Sequence, residues 1–270
     1  MKVFISVDME GITGVTCWDD VDSNKASYER FRQVMTDEVN AAVEGAVEAG
    51  ATGVVVNDSH GGMRNVLIEH LHPQAELISG YPKPLGMMSG VDADVDLAFL
   101  IGYHARAGTA NAILDHTWSS SRVYALHLNG QTVGETGLSV ALAGHLGVPV
   151  GLLTGDEATT AEARALLGDS VQTVAVKKSV SRQAAQSLPL EEAQARIRAA
   201  ARAAVAGPNP DPWVVSSPVT VAIEFMESLH ADGAAIMPGV RRVTGRRVEW
   251  TGEDVVTAVR AMTAMIDLAR

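Results

Sequence analysis

Cysteine is nearly absent: Cys17 is the only one in 270 residues. An internal disulfide is therefore impossible, a thiolate metal cluster within one chain is excluded, and a reducing, cytoplasmic setting is expected. Aromatic residues amount to 4% against 47% hydrophobic residues in all, so the core must be built from Ala, Val, Leu, Ile and Met. Basic residues are also scarce, 21 Lys and Arg against 32 Asp and Glu, giving a formal charge of −11. That balance speaks against a broad phosphate-binding surface and against nucleic acid as a partner. No apolar run reaches the roughly 18 to 20 residues of a membrane span, and the N-terminus shows neither the basic region nor the cleavage site of a signal peptide, so no membrane partner is expected.

What is present is an alternation of elements. Strand-like runs recur at 2–7, 52–57, 97–103, 149–153 and 171–176, separated by helical or irregular stretches, a pattern that predicts an α/β fold. A helix over about 28–49 carries Phe31, Val34, Met35, Val39, Ala42, Val43 and Val47 at helical spacing and stops before Gly50, a suitable C-cap. A second helix follows Glu135. Asn129-Gly130 between two alternating runs predicts a β-hairpin. Beyond it come an Ala- and Arg-rich helix over 188–207, an apolar strand near 213–224, a hairpin in VRRVTGRRVEW and a last helix over about 253–269. The expected architecture is three-layer α/β/α with a central, largely parallel or mixed sheet. Its main layer would take in about 1–118 and 136–176, with a smaller α+β subdomain over about 119–135 and 177–250.

The chemistry gathers at strand ends. KVFISVDMEG is an apolar strand that finishes on Asp8 and Glu10, two residues apart and hence on one face. VVVNDSHGG ends on Asp58 and His60, DLAFLIGYHA delivers His104, and QTVGE delivers Glu135. In open α/β sheets the carboxyl ends of strands converge on sites, so carboxylates and imidazoles remote in sequence would meet. Such a set without sulfur suits zinc, with manganese or cobalt as substitutes. Three carboxylates and two histidines exceed the protein ligands of one catalytic zinc and suit two metals.

Taken singly, each residue has an ordinary alternative. An acidic pair after a strand caps loops, His60 would stabilise a turn, His104 would be a satisfied core histidine, and Glu135 would favour a helix N-terminus. His116 in ILDHTWSS is a further candidate, because an imidazole beside a metal centre can exchange protons near neutrality. His70, His72, His127, His145 and His230 are expected to be structural and Cys17 unreactive. Met87, Met88 and Trp118 are candidates for a pocket wall or for packing. Lys177-Lys178 and the VRRVTGRRV run are expected to be solvated.

The ordered set VDMEGITG, NDSHGG, GYHA, DHTW and NG…GETG resembles the zinc D-aminopeptidase family, peptidase family M55, along the whole chain. The resemblance implies metal ligands at Asp8, Glu10, His60, His104 and Glu135, a catalytic histidine at His116, and two zinc ions per subunit. It further implies removal of N-terminal D-amino acids from short peptides, and a homodecamer of two stacked pentameric rings enclosing the active sites. Competing readings are another metal-dependent amidase, a two-metal phosphoesterase, or a non-enzymatic peptide-binding protein. Arg64 and Arg106 are the only arginines near these motifs to serve a phosphate.

Overall fold

The computed structural model describes residues 1–269. In chain order the main elements are β1 (Lys2–Val7), α1 (Tyr28–Glu48), β2 (Gly53–Asp58), β3 (Ala75–Ile78), β4 (Leu97–Ile101), β5 (Val123–Leu128), β6 (Gln131–Val133), α2 (Glu135–His145) and β7 (Val150–Asp156). There follow α3 (Glu157–Leu167), β8 (Gln172–Ser181), β9 (Ala184–Ser187), α4 (Leu190–Ala206), β10 (Val219–Phe225), α5 (Ser228–Ala234), β11 (Arg241–Arg242), β12 (Arg247–Gly252) and α6 (Val255–Leu268).

Seven strands form one sheet in the order β3-β2-β1-β4-β7-β8-β9. All neighbours are parallel except β8 and β9. A parallel strand is covered on both faces and reads as an unbroken apolar run, which is why KVFISV and LAFLI lack alternation. Val3, Ile5 and Val7 point into the core beneath α1 and α4, whereas Phe4 joins the opposite core with Ala98 and Leu100. From β1 the chain builds outward through β2 and β3, then returns to add β4 on the other side. The carboxyl ends of β1 and β4 therefore form a topological switch point.

The second sheet is antiparallel, in the order β11-β12-β10-β5-β6. Asn129 and Gly130 occupy the turn between β5 and β6 with φ of 46° and 83°, as a tight hairpin turn requires. The inner faces of β5, β10 and β12 share one core with α2 and α6. The α/β architecture with a mixed central sheet is as expected, but residues 177–206 are placed differently from the expectation. β8 runs on to Ser181, β9 adds an edge strand to the main sheet, and α4 packs on α1. The helices approach so closely that a Cβ on Gly45 would lie 2.1 Å from the Arg198 carbonyl oxygen.

Lys177 is also not solvated. Between Gly155 and Asp156 the pairing of β7 with β8 slips, so Gly155 faces Ala175 while Asp156 faces Lys177. The extra residue in β8 turns Val176 and Lys177 inward in succession, and Lys177 is only 3% exposed.

Candidate metal centre and active site

Three adjacent strands supply most of the site. Asp8 and Glu10 follow β1, His60 follows β2 and His104 follows β4, while Glu135 opens α2, where the helix dipole favours a carboxylate. The tips of β1 and β4 are drawn together by Asp8 N donating to the Ile101 carbonyl and Gly11 N donating to the Gly102 carbonyl, both at 2.8 Å. Only glycine fits here: a Cβ at Gly11 would stand 2.0 Å from the Tyr103 carbonyl oxygen, and one at Gly102, whose φ is +68°, 2.3 Å from that of Asp8.

His60 Nδ1 lies 3.0 Å from Glu10 Oε2 and 3.3 Å from Asp8 Oδ1. His104 Nε2 lies 3.4 Å from Asp8 Oδ2 and 3.3 Å from Glu135 Oε1. His116 Nε2 is 3.9 Å from both Glu10 Oε1 and Glu135 Oε1. Thus all six sequence-predicted residues meet in one cluster. Its ligand atoms form two adjacent groups, Asp8 with Glu10 and His60, and His104 with His116 and Glu135, with the atoms of each group within 4.8 Å of one another. Neither group contains any of the other five histidines.

The imidazoles share one arrangement. His60 Nε2 donates to the Val21 carbonyl at 2.9 Å, His104 Nδ1 to that of Ala105 at 3.0 Å and His116 Nδ1 to that of Leu114 at 2.8 Å. With one nitrogen held as N–H by a backbone oxygen, each ring turns its other nitrogen toward the carboxylates, as metal-ligating histidines do. Asp8 Oδ2 and His104 Nε2 are buried without a hydrogen-bond partner among the described residues, whereas Glu135 Oε1 accepts from the Trp118 amide at 2.7 Å. Such atoms suit a cation placed between them.

The electrostatics agree. Burial first, then the neighbouring Glu10 charge, lifts Asp8 to about 7. Burial alone would raise Glu10 and Glu135 too, but His60 holds the former well below the usual carboxylate range and His104 lowers the latter. Burial would depress His60 and His104, yet Glu10 with Asp8 lifts the first, and Glu135 with Asp8 the second, well above ordinary histidine values. The pattern is that of a buried field demanding positive charge.

His116 belongs to the loop between β4 and β5. Its ring stacks on His104 with centroids 4.0 Å apart and meets Trp18 edge-on at 5.2 Å. Burial, then His104, lowers its pKa, which favours the neutral ring with Nε2 facing the cluster. Leu114 and Trp118, two residues to either side, adopt left-handed φ of 50° and 62°, a conformation costly for such side chains and typical of functional loops. The loop is tied down by Ile113 N donating to Asp156 Oδ2 at 2.7 Å and Leu114 N donating to the Arg182 carbonyl at 3.0 Å.

A cavity of about 290 Å³ opens over the cluster, and Met87 and Trp118 line it, whereas Met88 lies in the core. Trp18, Met63 and Tyr81 complete its apolar wall; they come from loops without periodicity, and no pattern in the sequence marked them. Lys177 was missed as well. Its ammonium donates to the carbonyls of Glu10, Ile12 and Val15 at 2.6, 2.8 and 2.8 Å, fixing the loop that carries Glu10.

Fold and cluster together define a class: an α/β protein with a carboxylate–imidazole centre suited to metal ions at its switch point. A family model, Peptidase_M55, described as D-aminopeptidase, matches residues 1–264. The D-aminopeptidase of Bacillus subtilis (strain 168) is 39% identical over 273 residues, covering 100% of this chain and 98% of the relative. A solved structure, that of the Zn-dependent D-aminopeptidase DppA from Bacillus subtilis, a self-compartmentalizing protease, matches with a TM-score of 0.97 at 38% identity, covering 100% of this chain and 98% of that one. The chain belongs to the M55 D-aminopeptidase family, a family of peptidases.

Proposed function

We propose that this protein is a zinc-dependent aminopeptidase that releases D-residues from the amino ends of short peptides. The observation that carries the reading is the cluster itself, in which three imidazoles, each held by a backbone carbonyl, face three buried carboxylates at the sheet's switch point. Asp8, Glu10, His60, His104 and Glu135 would hold two zinc ions per subunit. When bound, zinc supplies Lewis-acid polarisation of the scissile carbonyl and lowers the pKa of water at the site.

The chain's own residues do the rest. A carboxylate of the cluster receives the substrate's free ammonium group, so an acetylated amine loses its anchor. His116, neutral and locked at Nδ1, offers Nε2 to take a proton during attack and return it to the departing amine, a contribution of about 10² to 10⁴ in rate. Trp18, Met63, Met87 and Trp118 give the N-terminal residue an apolar seat and exclude water. D-selectivity is supported by family membership and by the activity for which the Bacillus subtilis relative is named. The description of the solved relative as self-compartmentalizing supports a homo-oligomer, and we extend this to the stacked-ring decamer. A cytoplasmic setting accords with the single free thiol of Cys17; no helix among the described residues is long and apolar enough to cross a membrane.

The test is kcat/KM for D-alanyl and L-alanyl dipeptides, free and N-acetylated, at fixed zinc. Release from the free D-peptide alone is expected. Equal rates on acetylated and free D-peptides would remove the aminopeptidase assignment while sparing the metal site. In parallel, His116→Ala should keep its zinc and lose most of kcat; loss of zinc instead would make His116 a ligand, as its place beside His104 and Glu135 allows.

A further inference from the structure

A second cavity, of about 350 Å³, adjoins the first, and His116 and Ser120 line both. The imidazole therefore stands at a junction with space on either side. The first space contains Asp8, Glu10 and Glu135. The second contains two arginines, Arg106 and Arg182, and one carboxylate, Asp115, with Val123, Tyr124 and Met226 on its apolar walls.

The two arginines differ in what they are free to do. Arg182 is committed: its Nε donates to Asp115 Oδ1 at 2.7 Å, its Nη2 to the Asp115 carbonyl at 2.8 Å, and its guanidinium lies 5.7 Å from the centre of the Trp18 ring. The Arg106 guanidinium makes no hydrogen bond or ion pair among the described residues, while its main chain is anchored. The Arg106 amide donates to Glu162 Oε2 at 3.0 Å, and its carbonyl accepts from Thr109 Oγ1 at 2.8 Å and from the Thr109 amide at 3.2 Å. Glu162, which lines a further cavity with Arg106 and feels its charge, hydrogen-bonds only to the backbone nitrogen. The side-chain stem rests on the residue before Glu135, since a Cβ on Gly134 would lie 2.6 Å from Arg106 Cβ. A fixed stem with an unengaged planar fork is a preorganised carboxylate receptor.

We infer that Arg106 binds the C-terminal carboxylate of a short peptide whose departing residue fills this second cavity. The assignment rests on the aminopeptidase reading and adds to it what the enzyme demands of the other end of its substrate. A dipeptide is a dipole at neutral pH, with an ammonium group at one end and a carboxylate at the other. Its amine is received at the cluster of Asp8, Glu10 and Glu135 in the first cavity. Arg106, in the second cavity beyond His116, offers the carboxylate a partner of opposite charge. A peptide held at both ends has one orientation, and its scissile bond falls at His116, which lines both cavities. The same arrangement selects for length, because a long peptide cannot satisfy both ends at once.

The experiment compares D-alanyl-D-alanine with its C-terminal amide on the zinc-loaded enzyme. Wild type should favour the free acid through KM, on the order of 10- to 100-fold, the value of a charge-assisted pair, with similar kcat because this contact is made equally in ground and transition states. Arg106→Gln should bring the free acid down to the level of the amide, so that the ratio falls to near one, and Arg106→Lys should restore part of it. Rates within twofold for acid and amide in wild type would overturn the proposal without any variant, as would an Arg106→Gln enzyme that keeps the wild-type ratio. Failure of zinc-loaded wild type to hydrolyse either peptide would reject the aminopeptidase reading and this assignment together.

Discussion

Replacing Lys177 by Met tests how the loop bearing Glu10 is held. The ammonium is buried and satisfies three carbonyls, those of Glu10, Ile12 and Val15. Without it three acceptors lose their donor, at roughly 1 to 3 kcal/mol each. Against that stands the cost of burying the charge, visible in a pKa drawn by burial from 10.5 down to about 8, which corresponds to roughly 3 kcal/mol. The balance is a loss of about 3 kcal/mol, a large share of the roughly 5 to 15 kcal/mol that holds a domain folded. Zinc should also bind about 10 to 100 times more weakly, as when a group supporting a ligand is removed. Urea unfolding of the metal-free protein and a zinc competition titration read the two effects separately. The exposed neighbour provides the control: Lys178 lies 3.9 Å from Glu157 in a solvated pair, worth about 0 to 1 kcal/mol. If Lys177→Met matched Lys178→Met in both assays, the carbonyl cradle would have no role in holding the site.

Gly11→Ala should destabilise the fold by roughly 1 to 3 kcal/mol or more and abolish tight zinc binding, because its Cβ would meet the Tyr103 carbonyl at 2.0 Å; Gly62→Ala, with open space around its Cβ, should melt like wild type. Glu38 is buried against the same loop, accepting from Thr13 N at 2.9 Å, and burial raises its pKa from 4.5 to about 7. Because the folded state prefers the protonated acid, the contribution of Glu38 to stability is fullest below pH 4.5 and is lost as pH rises through 7. Glu38→Gln should thus gain on wild type over that interval, approaching roughly 3 kcal/mol above pH 7, as unfolding curves at pH 4.5 and 8 would show; a gap independent of pH would refute the assignment.

The convergence of Asp8, Glu10, His60 and His104 was legible because a parallel strand announces itself as an apolar run, and the polar residues just beyond such runs must gather along one edge of the sheet. Glu135 and His116 were legible as candidates by their motifs, but their distances from the cluster are set by how the second sheet docks, which no local pattern encodes. The inward turn of Lys177 depends on one slipped residue between β7 and β8, and a register shift of this kind leaves no mark in a Val-Lys-Lys sequence. Residues 184–187, AAQS, carry no strand-like apolar signal, yet they pair with β8. The Ala- and Arg-rich α4 was legible as a helix, but its docking on α1 depends on small contacts at Gly45 and on the stripe of Ala193, Ile197, Ala201 and Ala204. Whether an arginine is engaged, as Arg182 is by Asp115, or left without a hydrogen bond, as the Arg106 guanidinium is among the described residues, depends on tertiary placement that no local pattern encodes.

The central claim is that a dinuclear zinc centre built on these strand ends releases D-residues. Chelator-stripped protein titrated with zinc, with bound metal and turnover of a free D-alanyl dipeptide measured at each addition, tests it most directly. Activity should rise to a plateau at two zinc ions per chain, and Asp8→Asn should lose bound zinc and turnover together. Full turnover by the stripped protein, or by an Asp8→Asn variant that binds no zinc, would contradict the account.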